Sequence, residues 1–262
     1  MSTAEPLNSE LHRLLALVLL EPLPHGESIE GLPGVWSPRP AGESGARVQL
    51  AAGEHLMVNG IATGGCVDID LFDPARPPDY SVGLDTEQTV VVIRFENSEA
   101  GHTWVGVVST VAPRLRQFQG VSSYPVDDRW RIPVAFTAAR EADRFSMTQR
   151  LRTGQQVTAM NRAGWFEATI DGQPYRFSVD QISGFAYVTF RDAGSGTESY
   201  GAGRVVRLPA DPATIDVLDF NQAAVLPCAY NPLMDCPLPP AGNVIRSVVR
   251  AGQRDVLFDE TL

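Results

Sequence analysis

The residues with the means to do chemistry cluster late in the chain. Tyr200-Gly-Ala-Gly-Arg204 sets a phenol and a permanent cation four residues apart with glycines between them, and Asp219-Phe-Asn221 adds a carboxylate and an amide. Read as extended segments, Tyr200, Ala202 and Arg204 share one face, and Asp219 and Asn221 share another. If those faces meet beneath the loop over residues 226–243, which carries Tyr230 and Asn243, the result is a small-molecule site. Arg204 would hold an anion, while Asn221, Tyr230 and Asn243 would hold polar groups of the ligand. Asp219 or Tyr200 would do acid or base work. A buried polar network that only fixes the loop would use the same residue types, and the sequence weighs the two equally.

Other motifs carry less. Gly201-Ala-Gly203 lacks the third glycine and the following helix of a dinucleotide fingerprint. Gly194-Ser195-Gly196 has the wrong spacing for a nucleophile elbow and reads as a turn. His12, His25, His55 and His102 contain no pair three to five residues apart, so no zinc site built on histidine pairs is expected. Asp68, Asp70 and Asp73 offer oxygen ligands but lack the glycine and terminal glutamate of an EF-hand loop, and they read as a solvated acidic face. Cys228 and Cys236 fit no Cys-x-x-Cys signature; reduced thiols without metal are expected, and no cofactor is implied.

Composition bounds the partners. The 262 residues are 44% hydrophobic and 20% charged, with 23 Gly and 20 Pro, which is the profile of a globular chain long enough for one large β domain or two smaller ones. Two are expected. All 21 basic residues are arginine, so lysine Schiff-base and P-loop chemistry is excluded. With 31 acidic residues and a net charge of −10, nucleic acid and anionic membrane are not expected partners, and oligomeric state is left open. Glu5 and Glu10 precede the apolar run Leu14–Leu20 where a secretory leader would be cationic, so a cytoplasmic protein is expected. That run is too short to span a bilayer and suits a helix capped by Asn8 or Ser9.

The elements that must position these residues are mainly β. Period-two alternation bounded by Gly, Pro, Asn and Asp predicts strands over 46–51, 66–72, 88–96, 103–109, 130–136, 154–160, 187–191, 203–208 and 215–220. Residues 139–152 read as a short helix or an irregular crossover. Asp171-Gly172 predicts a type I′ hairpin in which Phe166 faces Phe177, Ala168 faces Tyr175 and Glu167 faces Arg176. The expected architecture is two packed antiparallel β-sandwich or barrel-like units with a short N-terminal helix. Their boundary is placed in the Val121–Asp128 interruption, giving domains 1–124 and 125–262. The 226–243 loop holds five of the 20 prolines and is expected to be stiff.

One stretch resembles a known family. Thr197-Glu-Ser-Tyr-Gly-Ala-Gly-Arg204, Asp219-Phe-Asn221, Cys228-Ala-Tyr-Asn-Pro, Cys236-Pro-Leu-Pro-Pro, Asn243 and Arg250-Ala-Gly252 follow in order the C-terminal signature of the bacterial domain-of-unknown-function family 1684. The resemblance implies a β-rich cytoplasmic protein of unassigned function. The chain departs from the pattern at Ala223-Ala-Val-Leu226, at Gly242 and at Gln253, where the family has A-Y-N-P, an acidic residue and Glu. The expected function is a cofactor-independent enzyme acting by acid–base chemistry on a small polar or anionic metabolite, an isomerase, cyclase or hydrolase such as specialised metabolism uses. The alternative is a binding protein that holds the same ligand without turnover.

Overall fold

The computed structural model describes residues 10–72, 81–94, 103–140, 145–151, 154–182, 184–234, 236 and 238–261. The chain divides into two compact units, one running to Gln117 and taking in Thr261, the other covering Phe118–Glu260. The division falls ahead of the Val121–Asp128 segment and puts Tyr124 inside the second unit.

The first unit runs through α1 (Glu10–Ala16), β1 (Leu17–Pro22), β2 (Glu27–Ser28), β3 (Val35–Pro38), β4 (Ala46–Gln49), β5 (Leu56–Val58) and β6 (Ile61–Thr63). It continues through β7 (Cys66–Ile69), β8 (Val82–Gly83), β9 (Gln88–Arg94), β10 (Thr103–Ser109) and α2 (Pro113–Gln117). A six-stranded sheet in the order β1-β10-β9-β8-β5-β6 and a four-stranded sheet β2-β3-β4-β7 share one core. Trp36, Val48 and Val67 come from one sheet, and Val90, Val92, Val105 and Val107 from the other.

One expectation is corrected here, and the solvated acidic face gains its partners. The helix stops at Ala16, and the rest of the apolar run becomes β1, because pairing with β10 captures it; an isolated apolar run does not distinguish helix from strand. Its expected caps, Asn8 and Ser9, lie outside the described residues. The acidic face is ion-paired: Arg47 grips Asp68 with two bonds of 2.7 Å, and Arg39 reaches Asp70 and Glu43 at 2.5 Å each. The Arg47 guanidinium holds the Asp68 carboxyl below the usual carboxylate range. Asp73 and His102 lie outside the described residues.

The second unit comprises β11 (Phe118–Ser123), β12 (Arg131–Ala138), β13 (Phe145–Leu151), β14 (Gly154–Ile170), β15 (Gln173–Ile182) and β16 (Phe185–Phe190). After these come β17 (Arg204–Leu208), β18 (Val217–Asp219), β19 (Ala224–Val225), α3 (Pro227–Tyr230) and β20 (Gln253–Phe258). Its main sheet has the order β18-β12-β14-β15-β16-β17-β19, with β13 on β14, and β11 pairs with β20. Within the 139–152 segment, read from sequence as a short helix or an irregular crossover, residues 145–151 form the strand β13. β13 pairs along its whole length with the first half of β14, and the alternation of Phe145, Met147 and Leu151 with Ser146, Thr148 and Arg150 was the signal for it.

The core of this unit is aromatic. Phe220 meets Phe190 edge to face at 4.9 Å, with Phe177 at 6.1 Å and Trp130 at 6.3 Å. The hairpin that carries Phe166 and Phe177 has the predicted register: Phe166 opposite Phe177, Ala168 opposite Tyr175 and Glu167 opposite Arg176. Asp171 and Gly172 both have positive φ, 50° and 74°, as a type I′ turn requires. A Cβ on Gly172 would meet nothing within 4 Å, so the cost of replacing it is conformational alone. Gly172→Val is expected to lower unfolding free energy by about 1 kcal/mol or more, measured by thermal denaturation.

Candidate functional site

The signature residues are drawn together, but not in the extended geometry their spacing suggested. Gly203 N donates to the Tyr200 carbonyl at 3.1 Å, closing a turn, so Tyr200, Ala202 and Arg204 do not alternate along one strand. Gly203 has φ of 105°, and a Cβ there would collide with the Phe190 carbonyl, so only glycine admits β17 this close to β16. The turn delivers Arg204 to the core with 1% exposure.

There the guanidinium is engaged by backbone and carboxylate. Its Nη2 donates to Asp192 Oδ2 at 2.5 Å and to the Val249 carbonyl at 2.7 Å, and Nη1 donates to the Ala251 and Gln253 carbonyls at 2.5 and 3.1 Å. Phe190 and Tyr124 lie 5.0 and 5.8 Å from the charge, while Nε is buried without a partner. Asp192 accepts in addition from Gly194 N at 2.8 Å, Ser195 Oγ at 3.3 Å and Val249 N at 3.2 Å. Arg204, expected to bind a ligand anion, thus has its anion inside the protein.

The remaining expected residues also have internal work. Asn243, fully buried, accepts from Ser178 N at 2.7 Å and donates to the Ser178 and Thr189 carbonyls at 3.0 and 2.8 Å, so it clamps β15 to β16. Asp219 ends β18 and caps the short 3₁₀ turn Phe220–Gln222, accepting from Asn221 N at 3.0 Å and Asn221 Nδ2 at 2.8 Å. Asn221 is on that turn, not on a strand face shared with Asp219, and exchanges bonds with the Asp127 backbone at 3.0 and 3.1 Å. Tyr230 packs its ring 6.4 Å from Phe118, and burial pushes its hydroxyl pKa up. Tyr200 is half-buried; burial, and then a hydrogen bond with Cys228, push its phenol well above the ordinary tyrosine range. Asp219 and Tyr200, each expected to do acid or base work, are thus both engaged inside the protein, Asp219 with Asn221 and Tyr200 with Cys228.

Residues that the sequence did not single out line a groove beside this network. It has a volume of about 430 Å³ between the Gly194–Gly201 loop, β11 and β20, and is lined by Ser122, Glu198, Ser199, Arg254, Asp255 and Leu257 among others. The loop is tightly wound: the Gly194 carbonyl accepts from the amides of Thr197, Glu198 and Ser199 at 3.1, 2.8 and 3.1 Å. Ser199 is buried and its Oγ has no hydrogen-bond partner. Arg250 holds Glu198 with bonds of 2.8 and 2.7 Å and keeps its carboxyl pKa down. Arg254 is exposed; its Nε donates to the Glu198 carbonyl at 3.3 Å and its charge stands 5.1 Å from the Tyr124 ring. The turn signal over residues 194–196 was legible; that its far end faces a groove was not. No group of three or more metal-ligating side chains occurs among the described residues.

The fold and this network define an antiparallel β unit in which an irregular C-terminal segment is locked to the sheet by a buried ion pair. The chain belongs to the family described as a protein of unknown function, DUF1684, which matches residues 116–254 and so spans the whole network. Among solved structures, an uncharacterised protein of Haloarcula marismortui is 28% identical, with 52% of this chain and 77% of that one covered, at a TM-score of 0.42. Nothing matches among curated proteins.

Two measurements check the assignments. A buried ion pair that loses one partner leaves the other charge stranded, so Arg204→Met is expected to lower unfolding free energy by about 3–5 kcal/mol in urea titrations. Next to the Asn243 clamp, Ser178 Oγ accepts from Arg162 Nε at 3.0 Å and donates to Asp180 Oδ1 at 3.3 Å. Desolvation pushes the Asp180 carboxyl from 3.8 up to about 6, against the pull of Arg162. A carboxyl that holds its proton more tightly when folded adds stability below the ordinary value of 3.8, and that stability is lost as pH rises through about 6. The wild type is therefore expected to lose up to about 3 kcal/mol between pH 4 and 7 relative to Asp180→Asn, read as the difference between their unfolding curves.

Proposed function

We propose that the protein binds a small polar metabolite carrying an anionic group, in the groove between the Gly194–Gly201 loop and β20, and holds it without turnover. The observation that carries this reading is a groove of about 430 Å³ whose wall presents the exposed side chain of Arg254 beside the Gly194–Gly201 loop. The volume of about 430 Å³ suits a small metabolite. Hydroxyls from Ser122 and Thr197 and the carboxylate of Asp255 supply further polar contacts, and Leu257 supplies an apolar one.

The catalytic version of this reading has less support: the Tyr200 phenol hydrogen-bonds with Cys228, is not among the residues lining the groove, and holds its proton more tightly than an ordinary tyrosine, which weakens it as a general acid. An isomerase, cyclase or hydrolase at this site, working without a cofactor, would need an acid or base other than Tyr200. The cytoplasm, where thiols stay reduced, is the compartment this reading assumes; no described helix is long and apolar enough to cross a membrane.

Titration with inorganic phosphate, followed by amide NMR shifts, tests the site. Saturable shifts are expected at Ser199, Gly201 and Arg254, with Arg254→Gln weakening the affinity roughly tenfold or more while leaving the spectrum of the core unchanged. Shifts scattered over the surface arginines, or unaltered affinity in Arg254→Gln, would contradict the proposal.

A further inference from the structure

The later two cysteines belong to one loop that folds back on itself. After α3, buried Asn231 accepts from Leu233 N through Oδ1 at 3.0 Å, and its carbonyl accepts from Met234 N at 3.0 Å. That reversal returns the chain so that Cys228 N donates to Cys236 Sγ at 3.1 Å. The sulfur of Cys228 is three bonds from that same nitrogen, so the distance between the two thiols is governed by χ1 of Cys228. Neither is in a disulfide.

Their exposures differ in a way that orders their chemistry. Cys236 is buried at 6%, whereas Cys228 is partly exposed, so a reagent from solvent meets Cys228 first. The Tyr200 hydroxyl hydrogen-bonds with Cys228 and lies within electrostatic reach of both sulfurs. The prolines at 227, 232, 239 and 240 restrict the loop, which limits how far the pair can separate.

We propose that Cys228 and Cys236 are a redox-active dithiol that a small-molecule disulfide of the glutathione type converts to an intramolecular disulfide. Cys228 loses its proton to solvent and attacks one sulfur of the reagent, whose S–S bond breaks to release one thiolate. Cys236, deprotonated in turn, attacks the Cys228 sulfur and expels the second thiolate. The protein gives up two electrons and two protons, and one disulfide is reduced to two thiols. This inference is independent of the binding groove.

Full-length protein equilibrated with graded ratios of oxidised to reduced glutathione, quenched by alkylation and mapped by mass spectrometry, tests it. Cys66, an exposed thiol in the other unit, serves as the internal reference. Two of the three thiols are expected to disappear together as a linked 228–236 peptide, while Cys66 carries only mixed disulfide with glutathione. Cys236→Ser is expected to trap the mixed disulfide on Cys228. If Cys66 takes up glutathione while Cys228 and Cys236 both remain thiols, the proposal is wrong. It is equally wrong if wild-type Cys228 accumulates mixed disulfide that Cys236 never resolves, or if the pair needs as high a ratio of oxidised to reduced glutathione to link in the native chain as in urea. The wild-type measurements decide the matter even if a serine variant fails to fold.

Discussion

The buried pair between Arg204 and Asp192 is the constraint on which the second unit depends. Both side chains are 1% exposed, and taking two charges out of water is tolerable only where further hydrogen bonds satisfy them. The protein supplies these from a segment with little regular structure. The carbonyls of Val249, Ala251 and Gln253 all meet one guanidinium, the last of them across a bend at Gly252, whose φ is 69°. Asp192 closes the same segment from its other side through Val249 N and winds the Gly194–Tyr200 loop through Gly194 N and Ser195 Oγ. The glycines of the signature follow from this arrangement. A Cβ at Gly252 would lie 2.6 Å from the Ala223 carbonyl, just as one at Gly203 would strike that of Phe190.

Much of the fold was legible because its signals are local. The Asp171-Gly172 turn, the alternation of its flanking strands and their pairing can be read within about twenty residues, and the structure has that register. Elements whose identity depends on a distant partner were not legible. β1 is a strand because β10 lies beside it, and β11 and β20 exist through each other across most of the second unit.

The site was legible in residue type and not in role. Arg204, Asp219, Asn221 and Asn243 were rightly picked out as polar groups with a task, yet a sequence cannot say whether an arginine's anion comes from a ligand or from Asp192. The turn at Gly201–Gly203 decides it by sending Arg204 inward. Ser199, within the signature, and Arg254, beyond it, were given no role because nothing local marks a serine whose hydroxyl lacks a partner, or an arginine at the rim of a groove. The signature is therefore best understood as a scaffold, and the recognition proposed above lies at its edge, where the loop wound by Asp192 faces β20.

A double-mutant cycle tests this account most directly. Asp192→Leu, Arg204→Met and the combined variant would be unfolded in urea beside the wild type. If the pair is the lock described, each single variant loses heavily, and the double loses less than the two together by about 2–3 kcal/mol, since it strands no buried charge. Additive losses, or an Arg204→Met variant as stable as the wild type, would contradict the claim that this ion pair holds the C-terminal segment to the sheet.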